Sequence, residues 1–536
     1  MKWRGVHPEG EIKGERLQNL IKILKLSLMN RQDLYLVSLS ALLLSLAFPP
    51  SPLGFVAYFS LVPLLLALEN KSPYFAFRTG YLFGLISNSL LLFWVGWATI
   101  GGAVAAILLL CFYPAILCWF YGLVQRRWKE GALFFFPFLW VATEYVRSLT
   151  EISFPWLNLS YTQTYYLKLI QYASLWGNYA VSFWILWLNL MVYLFIRHKK
   201  RRGLATGLFA ILIILPYIYG SWVMSEKSVR MDPYWKGEEI KIALLQGNME
   251  PEIKWDDRFL DYNIRTYIDM SKEAAQEQVD LILWPETAAP CYLAAESLYL
   301  ARAQETCDEL NIPLLVGTND YQVTPQGRLR YYNSAFLFTP HGGYPQVYNK
   351  IHLVPFSEKM PYDQILNLSD KIQLGQSDFS NGEELTIFEV PKGRFATLIC
   401  FESVYPALVR DFVNQGAEFL VNITNDGWFG KTHGPFQHAQ IAVFRAIENR
   451  IAIARCANTG VSMFINPYGQ VKKPTRIFVR DIVIDKIPLK QKVNFSADNR
   501  TFYAKYGDWF ASGCFLISFM AIAIALLRKR PKGELN

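Results

Sequence analysis

Three residues with complementary chemistry occur in the second half of this 536-residue chain, in the order Glu286, Lys350 and Cys400. Each follows a strand-like apolar run, and the gaps between them are roughly 50 to 65 residues. A carboxylate takes the proton of a thiol, and an ammonium group stabilises the oxyanion that forms when the sulfur attacks a carbonyl carbon. The three residue types therefore indicate thiol-dependent acyl transfer, provided that the fold brings them together.

Cys400 follows the apolar run 395–399, which is rich in strand-forming residues, and precedes a predicted helix over 406–412. A lone cysteine is more often a small buried hydrophobic residue than a nucleophile. The position between a strand end and a helix start favours catalysis here, because ligands bind at that edge of α/β layers. We also expect the dipole of the helix to lower the pKa of the thiol.

Composition separates a membrane enzyme from a soluble one. Hydrophobic residues make up 52% of the chain, and the mean hydropathy is positive. The net charge of +9 comes largely from basic clusters beside apolar runs, which is the pattern of membrane topology and not of a nucleic-acid groove. Seven cysteines show no metal-ligand spacing and leave one unpaired, so we expect neither a metal site nor a disulfide framework.

Eight apolar runs predict a multi-pass α-helical membrane bundle, because each is near the length that crosses about 30 Å of hydrocarbon. The predicted spans are 34–48, 55–68, 76–97, 102–123, 131–148, 174–196, 203–223 and 509–527. With the N-terminus inside, the basic clusters 125–129, 198–202 and 528–532 all lie on the cytoplasmic side. The sequence therefore predicts that the large polar segment between spans seven and eight lies outside.

These boundaries divide the chain into four parts. They are a cytoplasmic segment at 1–33, seven spans at 34–223, an extracytoplasmic catalytic domain at 224–500, and a final span with a basic tail at 501–536. The catalytic part alternates strands with helices, which predicts a layered α/β architecture. Its predicted strands are 240–245, 279–284, 312–316, 333–338, 395–399, 419–423, 451–454 and 462–465, and its helices include 258–276, 298–310 and 436–448.

The ordered motifs that contain Glu286, Lys350 and Cys400 resemble the Glu-Lys-Cys triad of the nitrilase, or carbon-nitrogen hydrolase, superfamily. Together with the predicted membrane region, the chain from about residue 34 onward resembles the apolipoprotein N-acyltransferase family. The resemblance implies an α-β-β-α sandwich for the catalytic domain and chemistry without a cofactor. Pro285 before the glutamate and Phe401 after the cysteine depart from the family pattern, although neither disturbs the triad.

Within this interpretation, Glu286 is the general base, and Lys350 with the backbone N–H of Phe401 stabilises the oxyanion. The resemblance further implies that Glu358 orients the lysine and that Glu402 is a second supporting residue. From the sequence alone, solvated loop acids are the more common interpretation of these two glutamates.

Aromatic residues supply a candidate lipid site. Trp156 follows the fifth predicted span, where tryptophans usually anchor a helix at the membrane interface, but the resemblance places it near a lipid entrance. Trp428 and Phe429 lie in a glycine-flanked turn, either as loop aromatics packed on the core or as part of an acyl-chain pocket or membrane-dipping loop. The resemblance favours a lipid role. Arg455 and Asn458 are equally compatible with the site and with a surface pair.

Two further pairs of polar residues have ambiguous spacing. Glu144 and Arg147 occur in the fifth span, where ionisable groups are costly and often functional, although a spacing of three also permits an ion pair on one helix face. His433 and His438 are five residues apart, and no cysteine or acid in the sequence pattern completes a zinc set. We therefore predict no metal.

The resemblance implies a two-step reaction. Cys400 takes an acyl chain from a phospholipid as a thioester, and the α-amine of a diacylated apolipoprotein accepts it as an amide. It also implies a bacterial inner-membrane protein whose catalytic domain faces the periplasm, and we expect a monomer. The alternatives are a membrane-tethered amidase that hydrolyses a small amide with the same triad, and a non-catalytic lipid-binding or scaffold protein.

Overall fold

The computed structural model describes residues 29–227, 235–362, 379–491 and 500–527. Most of the predicted cytoplasmic segment and the basic tail lie outside these residues. The first helix of the described residues begins at Arg31 and is capped by Asn30, whose side chain accepts a hydrogen bond from the backbone N–H of Asp33 at 2.6 Å. This is an N-cap of the usual kind, because it satisfies a backbone donor that the first helical turn leaves without an intrahelical partner.

The helices of the described chain form a membrane bundle and the outer layers of a sandwich. They are α1 (Arg31–Ala47), α2 (Val62–Ala67), α3 (Pro73–Leu92), α4 (Ile100–Leu110), α5 (Phe112–Trp128), α6 (Phe136–Val146), α7 (Leu167–Ile170), α8 (Ala173–Arg197), α9 (Arg202–Val223), α10 (Pro251–Lys254), α11 (Leu260–Ala275), α12 (Ser297–Leu310), α13 (Pro406–Asn414), α14 (Gly434–Asn449), α15 (Phe502–Tyr506) and α16 (Trp509–Leu527). Short 3₁₀ segments connect several of them, including Gly54–Tyr58, Phe93–Trp97, Lys129–Phe135 and Cys400–Val404.

Each predicted membrane span falls on helical structure. Five helical stretches of the described residues are long and apolar enough to cross a membrane, and one of them, Ile100–Val146, is 47 residues long and contains two predicted spans. The first two predicted spans correspond to shorter helices, α1 and the stretch Gly54–Ala67. The bundle is therefore confirmed, whereas the number of eight spans stays a prediction.

Small residues let two helices of the bundle approach closely. A Cβ atom on Gly80 would lie 2.2 Å from the carbonyl oxygen of Pro114, and one on Gly84 would lie 2.7 Å from the ring of Pro114. Side chains at these positions of α3 would push α5 away, so glycine is required for this packing. The final helix α16 packs against α5, α6 and α8, which places the chain's last span within the same bundle.

Glu144 and Arg147 do not form the ion pair that their spacing permitted. The Glu144 carboxylate accepts hydrogen bonds from Trp140 Nε1 at 3.0 Å and from the backbone N–H of Leu159 at 2.7 Å. Arg147 Nη2 instead donates to Asn158 Oδ1 at 2.7 Å. Both side chains thus hold the loop after α6, which carries Trp156 toward the catalytic domain.

Within the described residues, thirteen strands build two sheets that pack face to face. The strands are β1 (Trp235–Gln246), β2 (Leu281–Leu283), β3 (Ala289–Tyr292), β4 (Leu314–Val323), β5 (Leu329–Phe338), β6 (Gln346–Asn349), β7 (Phe388–Val390), β8 (Gly393–Ile399), β9 (Phe419–Thr424), β10 (Ile453–Ala457), β11 (Met463–Ile465), β12 (Val471–Lys472) and β13 (Asp481–Lys490). The first sheet has the order β13-β1-β2-β4-β5-β6 with β3 beside β4, and the second has the order β12-β11-β10-β9-β8-β7. The central pairs β1–β2–β4 and β8–β9–β10 are parallel.

Helices cover the outer face of each sheet. On the first sheet, α11 packs against β1, β3 and β13 and α12 against β5, while α13 and α14 cover the second sheet. The predicted α-β-β-α sandwich is confirmed. The helix α14 also packs against α8 of the bundle, so the catalytic domain rests on the membrane helices through its second helical layer.

Polar contacts join the two parts of the protein. Arg450 Nη1 donates to Gln171 Oε1 at 2.6 Å, and the backbone N–H of Asn178 donates to Glu448 Oε1 at 2.9 Å. All four of these residues are buried. Because buried polar groups are costly without partners, these bonds favour one orientation of the domain on the bundle.

Candidate active site

The fold brings Glu286, Lys350 and Cys400 together from three strand ends. Glu286 follows β2 and Lys350 follows β6 in the first sheet, while Cys400 follows β8 in the second. Glu286 and Cys400 line one cavity of about 230 Å³. Cys400 has a φ of +52°, in the left-handed region that residues with a Cβ atom seldom adopt. Such strain persists where the surrounding structure holds it, and it is often found at functional sites.

Lys350 is buried between two carboxylates. Its Nζ lies 2.8 Å from Glu358 Oε2 and 3.8 Å from Glu286 Oε1. Burial by itself would lower the pKa of Lys350, but Glu358 and Glu286 outweigh it and raise the pKa above its usual value. The ammonium therefore stays charged, which an oxyanion stabiliser requires.

Two asparagines orient the Glu286 carboxylate through hydrogen bonds. Asn333 Nδ2 donates to Glu286 Oε1 at 2.8 Å, and the backbone N–H of Asn425 donates to Glu286 Oε2 at 2.7 Å. Glu286 is buried, with 6% of its surface exposed. Sequence reasoning missed both asparagines, because their partner lies far away along the chain. Their bonds fix the carboxylate on the cavity wall that it shares with Cys400.

The expectation that a helix dipole lowers the pKa of Cys400 is wrong. Burial raises the pKa of the thiol, Glu286 raises it further, and Lys350 offsets these effects only in part. The 3₁₀ segment that begins at Cys400 has five residues, too few to build a strong dipole. The thiol is therefore neutral at rest, and the chemistry requires a base that removes its proton during the attack.

Glu358 is not a solvated loop acid. It holds the Lys350 ammonium, accepts a hydrogen bond from the backbone N–H of Val354 at 2.8 Å, and accepts a second from Asn333 Nδ2 at 3.2 Å. These contacts place it where it orients the lysine. Asn333 bridges Glu358 and Glu286, so these two carboxylates belong to one hydrogen-bond network.

Glu402 is fully buried and contacts the segment around Lys350, residues 348–352. Its carboxylate accepts hydrogen bonds from Tyr348 OH at 2.8 Å and from the backbone N–H groups of Ile351 at 2.7 Å, His352 at 3.1 Å and Ile399 at 2.7 Å. Burial raises the pKa of Glu402 to about 7, although these donors and Lys350 limit the rise. The carboxylate thus connects the segment around Lys350 with strand β8, which ends at Ile399 just before Cys400. The interpretation of Glu402 as a solvated loop acid is therefore wrong too.

Trp156 is buried in an aromatic wall and is not an interface anchor. Its ring stacks with Phe401 at 6.1 Å between centroids and meets Phe429 edge-on at 6.1 Å. Its Nε1 donates to Gln437 Oε1 at 2.9 Å. Trp156, Phe401 and Phe429 all line the cavity beside Cys400. The sequence interpretation of Phe429 as part of a pocket agrees with this position.

Trp428 lines the same cavity opposite a tryptophan that sequence reasoning missed. Its ring stacks with that of Trp255, with 6.4 Å between centroids and 26° between planes. Trp428 is half-buried, whereas 43% of Trp255 is exposed. The position of Trp255 after a short helix gave no signal in the sequence, because an isolated loop aromatic is common.

The cavity extends from Glu286 and Cys400 into the membrane bundle. Besides the residues described above, it is lined by apolar side chains of the end of α3, the following 3₁₀ segment and α4, among them Leu92, Val95, Ala98, Ala106, Leu109 and Leu110. The outer face of α4 carries exposed apolar residues, including Ile100 and Val104. One chamber thus connects the Cys400 thiol with apolar membrane helices.

The structure brings together side chains that sequence spacing separated. Cys400 Sγ, an Asp426 carboxylate oxygen and a His438 ring nitrogen lie within 4.8 Å of one another, so a cysteine and an acid do accompany this histidine. Arg455 donates to Asp426 Oδ2 at 2.9 Å and places a positive charge in the cluster. Since both nitrogens of His438 and both carboxylate oxygens of Asp426 already have protein partners, a metal-free site stays our prediction. Arg455 and Asn458 are fully buried, and the surface-pair interpretation is wrong.

Lys254 is a buried cation at the site that sequence reasoning also missed. Its Nζ donates to the backbone carbonyl of Glu286 at 2.9 Å, and 2% of its surface is exposed. Burial lowers the pKa of Lys254 to about 7, although Glu286 and Cys400 oppose the shift. Between pH 7 and 10.5 the unfolded state therefore binds more protons than the folded state, and this residue's cost to stability falls as pH rises.

Replacing Lys254 with methionine should stabilise the protein relative to the wild type most strongly near pH 7, by on the order of a few kcal/mol. The advantage should shrink steadily toward pH 10, because near the pKa of lysine in the unfolded chain little free energy is needed to remove the proton before the side chain is buried. Thermal unfolding midpoints in detergent at pH 7, 8.5 and 10 measure this difference. Lys272→Met, at an exposed position of α11, is the matched control and should show no such trend. A Lys254→Met difference that does not vary with pH would contradict the prediction.

Comparison with known proteins adds an independent line of observation. The family model described as carbon-nitrogen hydrolase matches residues 241–492, and the one described as apolipoprotein N-acyltransferase N-terminal domain matches residues 40–191. An apolipoprotein N-acyltransferase of Geobacter metallireducens is 35% identical over 519 residues, which cover 93% of this chain and 96% of the relative. One of Chlorobaculum tepidum is 31% identical and covers 94% and 98%, respectively.

Solved structures of the nitrilase and carbon-nitrogen hydrolase class match about half of the chain. A nitrilase-superfamily protein of Saccharomyces cerevisiae is 19% identical, with a TM-score of 0.36, and the match covers 47% of this chain and 90% of that protein. A carbon-nitrogen hydrolase of Helicobacter pylori is 14% identical, with a TM-score of 0.37 and a coverage of 47% and 89%.

Proposed function

The chain belongs to the apolipoprotein N-acyltransferase family, and from that premise we propose that it moves an acyl chain from a membrane phospholipid to an apolipoprotein through a thioester on Cys400. The acceptor is the α-amine of the lipoprotein's diacylglyceryl-cysteine. The protein is an acyltransferase with a carbon-nitrogen hydrolase domain. We further propose that Glu286, Lys350 and Cys400 perform the chemistry.

One observation carries the proposal. The cavity that contains Cys400 and Glu286 is continuous with the apolar side chains of α4 and the preceding 3₁₀ segment. An acyl chain that lies along these helices brings its ester carbonyl to the thiol while its tail stays in apolar surroundings. A small hydrophilic amide would gain nothing from such a wall, so the geometry favours a lipid donor.

In the first step, Glu286 removes the proton of the Cys400 thiol as the sulfur attacks the ester carbonyl carbon. The negative charge that develops on the carbonyl oxygen is stabilised by the Lys350 ammonium and by the backbone N–H of Phe401. The intermediate then breaks its bond to the glycerol oxygen. Protonated Glu286 returns the proton to this leaving group, so that a lysophospholipid departs and a thioester remains.

In the second step, the neutral α-amine of the acceptor attacks the thioester carbonyl. Glu286 takes a proton from the attacking nitrogen, the carbon–sulfur bond breaks, and the proton returns to the Cys400 thiolate. The products are an amide on the lipoprotein and the original enzyme. The aromatic wall of Trp156, Phe401 and Phe429 limits the access of water, which would otherwise hydrolyse the thioester.

We propose that the protein works as a monomer in the bacterial inner membrane, with its catalytic domain facing the periplasm. The distribution of basic residues supports this orientation, because the clusters 125–129 and 198–202 follow spans that would end in the cytoplasm. The four-part division at residues 33, 223 and 500 follows from the same topology.

The test is to incubate the purified protein in detergent with a phospholipid and to look by mass spectrometry for one acyl group on Cys400. A diacylated lipopeptide is then added. Loss of the enzyme adduct together with acylation of the lipopeptide amine is the expected result. Decay of the adduct at the same rate without lipopeptide would favour the amidase-type hydrolase, and failure of folded protein to form the adduct would overturn the thioester mechanism.

A further inference from the structure

The backbone carbonyl of Cys400 is held by three side chains. His438 Nε2 lies 3.0 Å from the carbonyl oxygen, Ser403 Oγ donates to it at 3.1 Å, and Asn422 Nδ2 reaches it at 3.5 Å. All three side chains are fully buried. Three side-chain partners on one carbonyl exceed what a tight turn needs, since a single bond satisfies a buried carbonyl group.

A buried ionic network contacts two of these side chains, His438 and Asn422. His438 carries a proton on both ring nitrogens when it donates to the Cys400 carbonyl and to Asp426 together. His438 Nδ1 lies 2.8 Å from Asp426 Oδ1, and Arg455 Nη2 donates to Asp426 Oδ2 at 2.9 Å. Arg455 Nη1 also donates to Asn422 Oδ1. Burial would raise the pKa of Asp426, but Arg455 and His438 outweigh it and keep the pKa below its usual range. Arg455 thus supports His438 through Asp426 and supports Asn422 directly.

The carbonyl of Cys400 and the N–H of Phe401 belong to the same peptide unit. This unit is planar and trans, so the two groups point in opposite directions. Donors that fix the carbonyl therefore also fix the direction of the Phe401 N–H. They polarise the peptide as well, which makes the N–H a stronger hydrogen-bond donor.

We propose that Asn422, Asp426, His438 and Arg455 form a positioning network that aims the Phe401 N–H at the reacting carbonyl oxygen and polarises it. This inference rests on the proposed function, in which Cys400 is the nucleophile and that N–H stabilises the oxyanion. Asp426 and His438 lie within 4.8 Å of Cys400 Sγ, and in this proposal they act through their hydrogen bonds and not as groups that exchange the thiol proton. It acts on the side of the peptide that faces away from the oxyanion, and it holds Cys400 in its left-handed conformation.

Two substitutions at His438 separate its two contacts. Glutamine places an amide nitrogen near the position of Nε2 and can keep the bond to the Cys400 carbonyl, whereas asparagine reaches only the position of Nδ1. We expect His438→Asn to lower kcat for acyl transfer by about 10- to 100-fold, somewhat less than the loss of an oxyanion donor itself, with little change in KM for the phospholipid. His438→Gln should recover most of that loss.

A second reaction of the same thiol tests whether the effect concerns the oxyanion. Iodoacetamide alkylates a thiolate without forming an oxyanion, so the alkylation rate of Cys400, mapped by mass spectrometry, should be the same in His438→Asn as in the wild type. Ser403→Ala removes one donor and a 3.2 Å contact with His438 Nε2 but leaves the ion pairs of Asp426 in place, and it should lower kcat a few-fold in the same way. This variant keeps the proposal testable if His438→Asn does not fold.

The outcomes distinguish this inference from the proposed function. A wild-type protein that never forms the Cys400 adduct refutes the proposed function itself. If the wild type forms the adduct and the variants acylate as fast as it does, the positioning network is refuted. If acylation and alkylation fall together, the side chains position the thiol and not the oxyanion donor, and the proposal is also overturned.

Discussion

Replacing Cys400 by alanine is expected to abolish the acyl adduct and to reduce transfer to the lipopeptide by roughly 10⁴- to 10⁶-fold, the range seen when a catalytic nucleophile is removed. Glu286 and Lys350 remain, but without the sulfur no covalent intermediate divides the reaction into two easier steps. Adduct formation is measured by mass spectrometry, and transfer by acylation of the lipopeptide amine.

The chain provides a matched control for this substitution. Cys456 is also a buried cysteine at a strand of the second sheet, but its thiol donates to the backbone carbonyl of Leu283 at 3.3 Å, away from the cavity. Cys456→Ala should keep both adduct and transfer. Cys400→Ser should behave almost like alanine, because a serine hydroxyl ionises far less readily than a thiol. An adduct that persists in Cys400→Ala would place the nucleophile elsewhere.

Replacing Lys350 by methionine should reduce acyl transfer by roughly 10²- to 10³-fold, the cost of removing an oxyanion stabiliser. It should also lower the free energy of unfolding by about 3 to 5 kcal/mol, because Glu358 and Glu286 then stay buried without their cation. Both carboxylates lie within 4 Å of the ammonium, and the lysine side chain is fully inaccessible to solvent. The measurements are the initial rate of adduct formation and the unfolding midpoint in detergent.

A double variant separates catalysis from stability. Glu358→Gln removes one of the two orphaned charges and keeps a side chain that still accepts the hydrogen bond from Val354. The combination with Lys350→Met should therefore recover part of the lost stability but none of the lost rate, because the cation beside the reacting carbonyl is still absent. Recovery of the rate along with the stability would show that Lys350 is structural.

Local patterns in the sequence predicted the elements of the catalytic domain well where they are long and apolar. All eight predicted strands occur, and helices α11, α12, α13 and α14 begin and end within a few residues of the predicted limits. Sequence reasoning missed β3, β6, β7, β12 and β13. The first four have two to four residues, too few for a periodic signal, and β13 lies at a sheet edge, where charged residues interrupt the apolar alternation.

The same contrast applies to the candidate site. The order and residue types of Glu286, Lys350 and Cys400 are visible in the sequence, although the strand β6 that precedes Lys350 was not predicted. The partners that set their properties are not visible. Asn425 lies 139 residues from the Glu286 that it aims, and Lys254 is separated by 32 residues from the carbonyl that it holds. Both separations are longer than any helix or strand of the catalytic domain, so the periodicity within one element cannot reveal these contacts.

The sequence by itself thus determined the membrane character of the chain, its layered catalytic domain and the chemistry that its three key residues permit. These properties follow from hydrophobicity and periodicity, which act between neighbours along the chain. Tertiary structure alone decided the raised pKa of Cys400, the burial of Glu402 and the contact of His438 with the backbone carbonyl of Cys400. These depend on desolvation and on hydrogen bonds between distant segments, which exist only after the two sheets and the bundle have packed together.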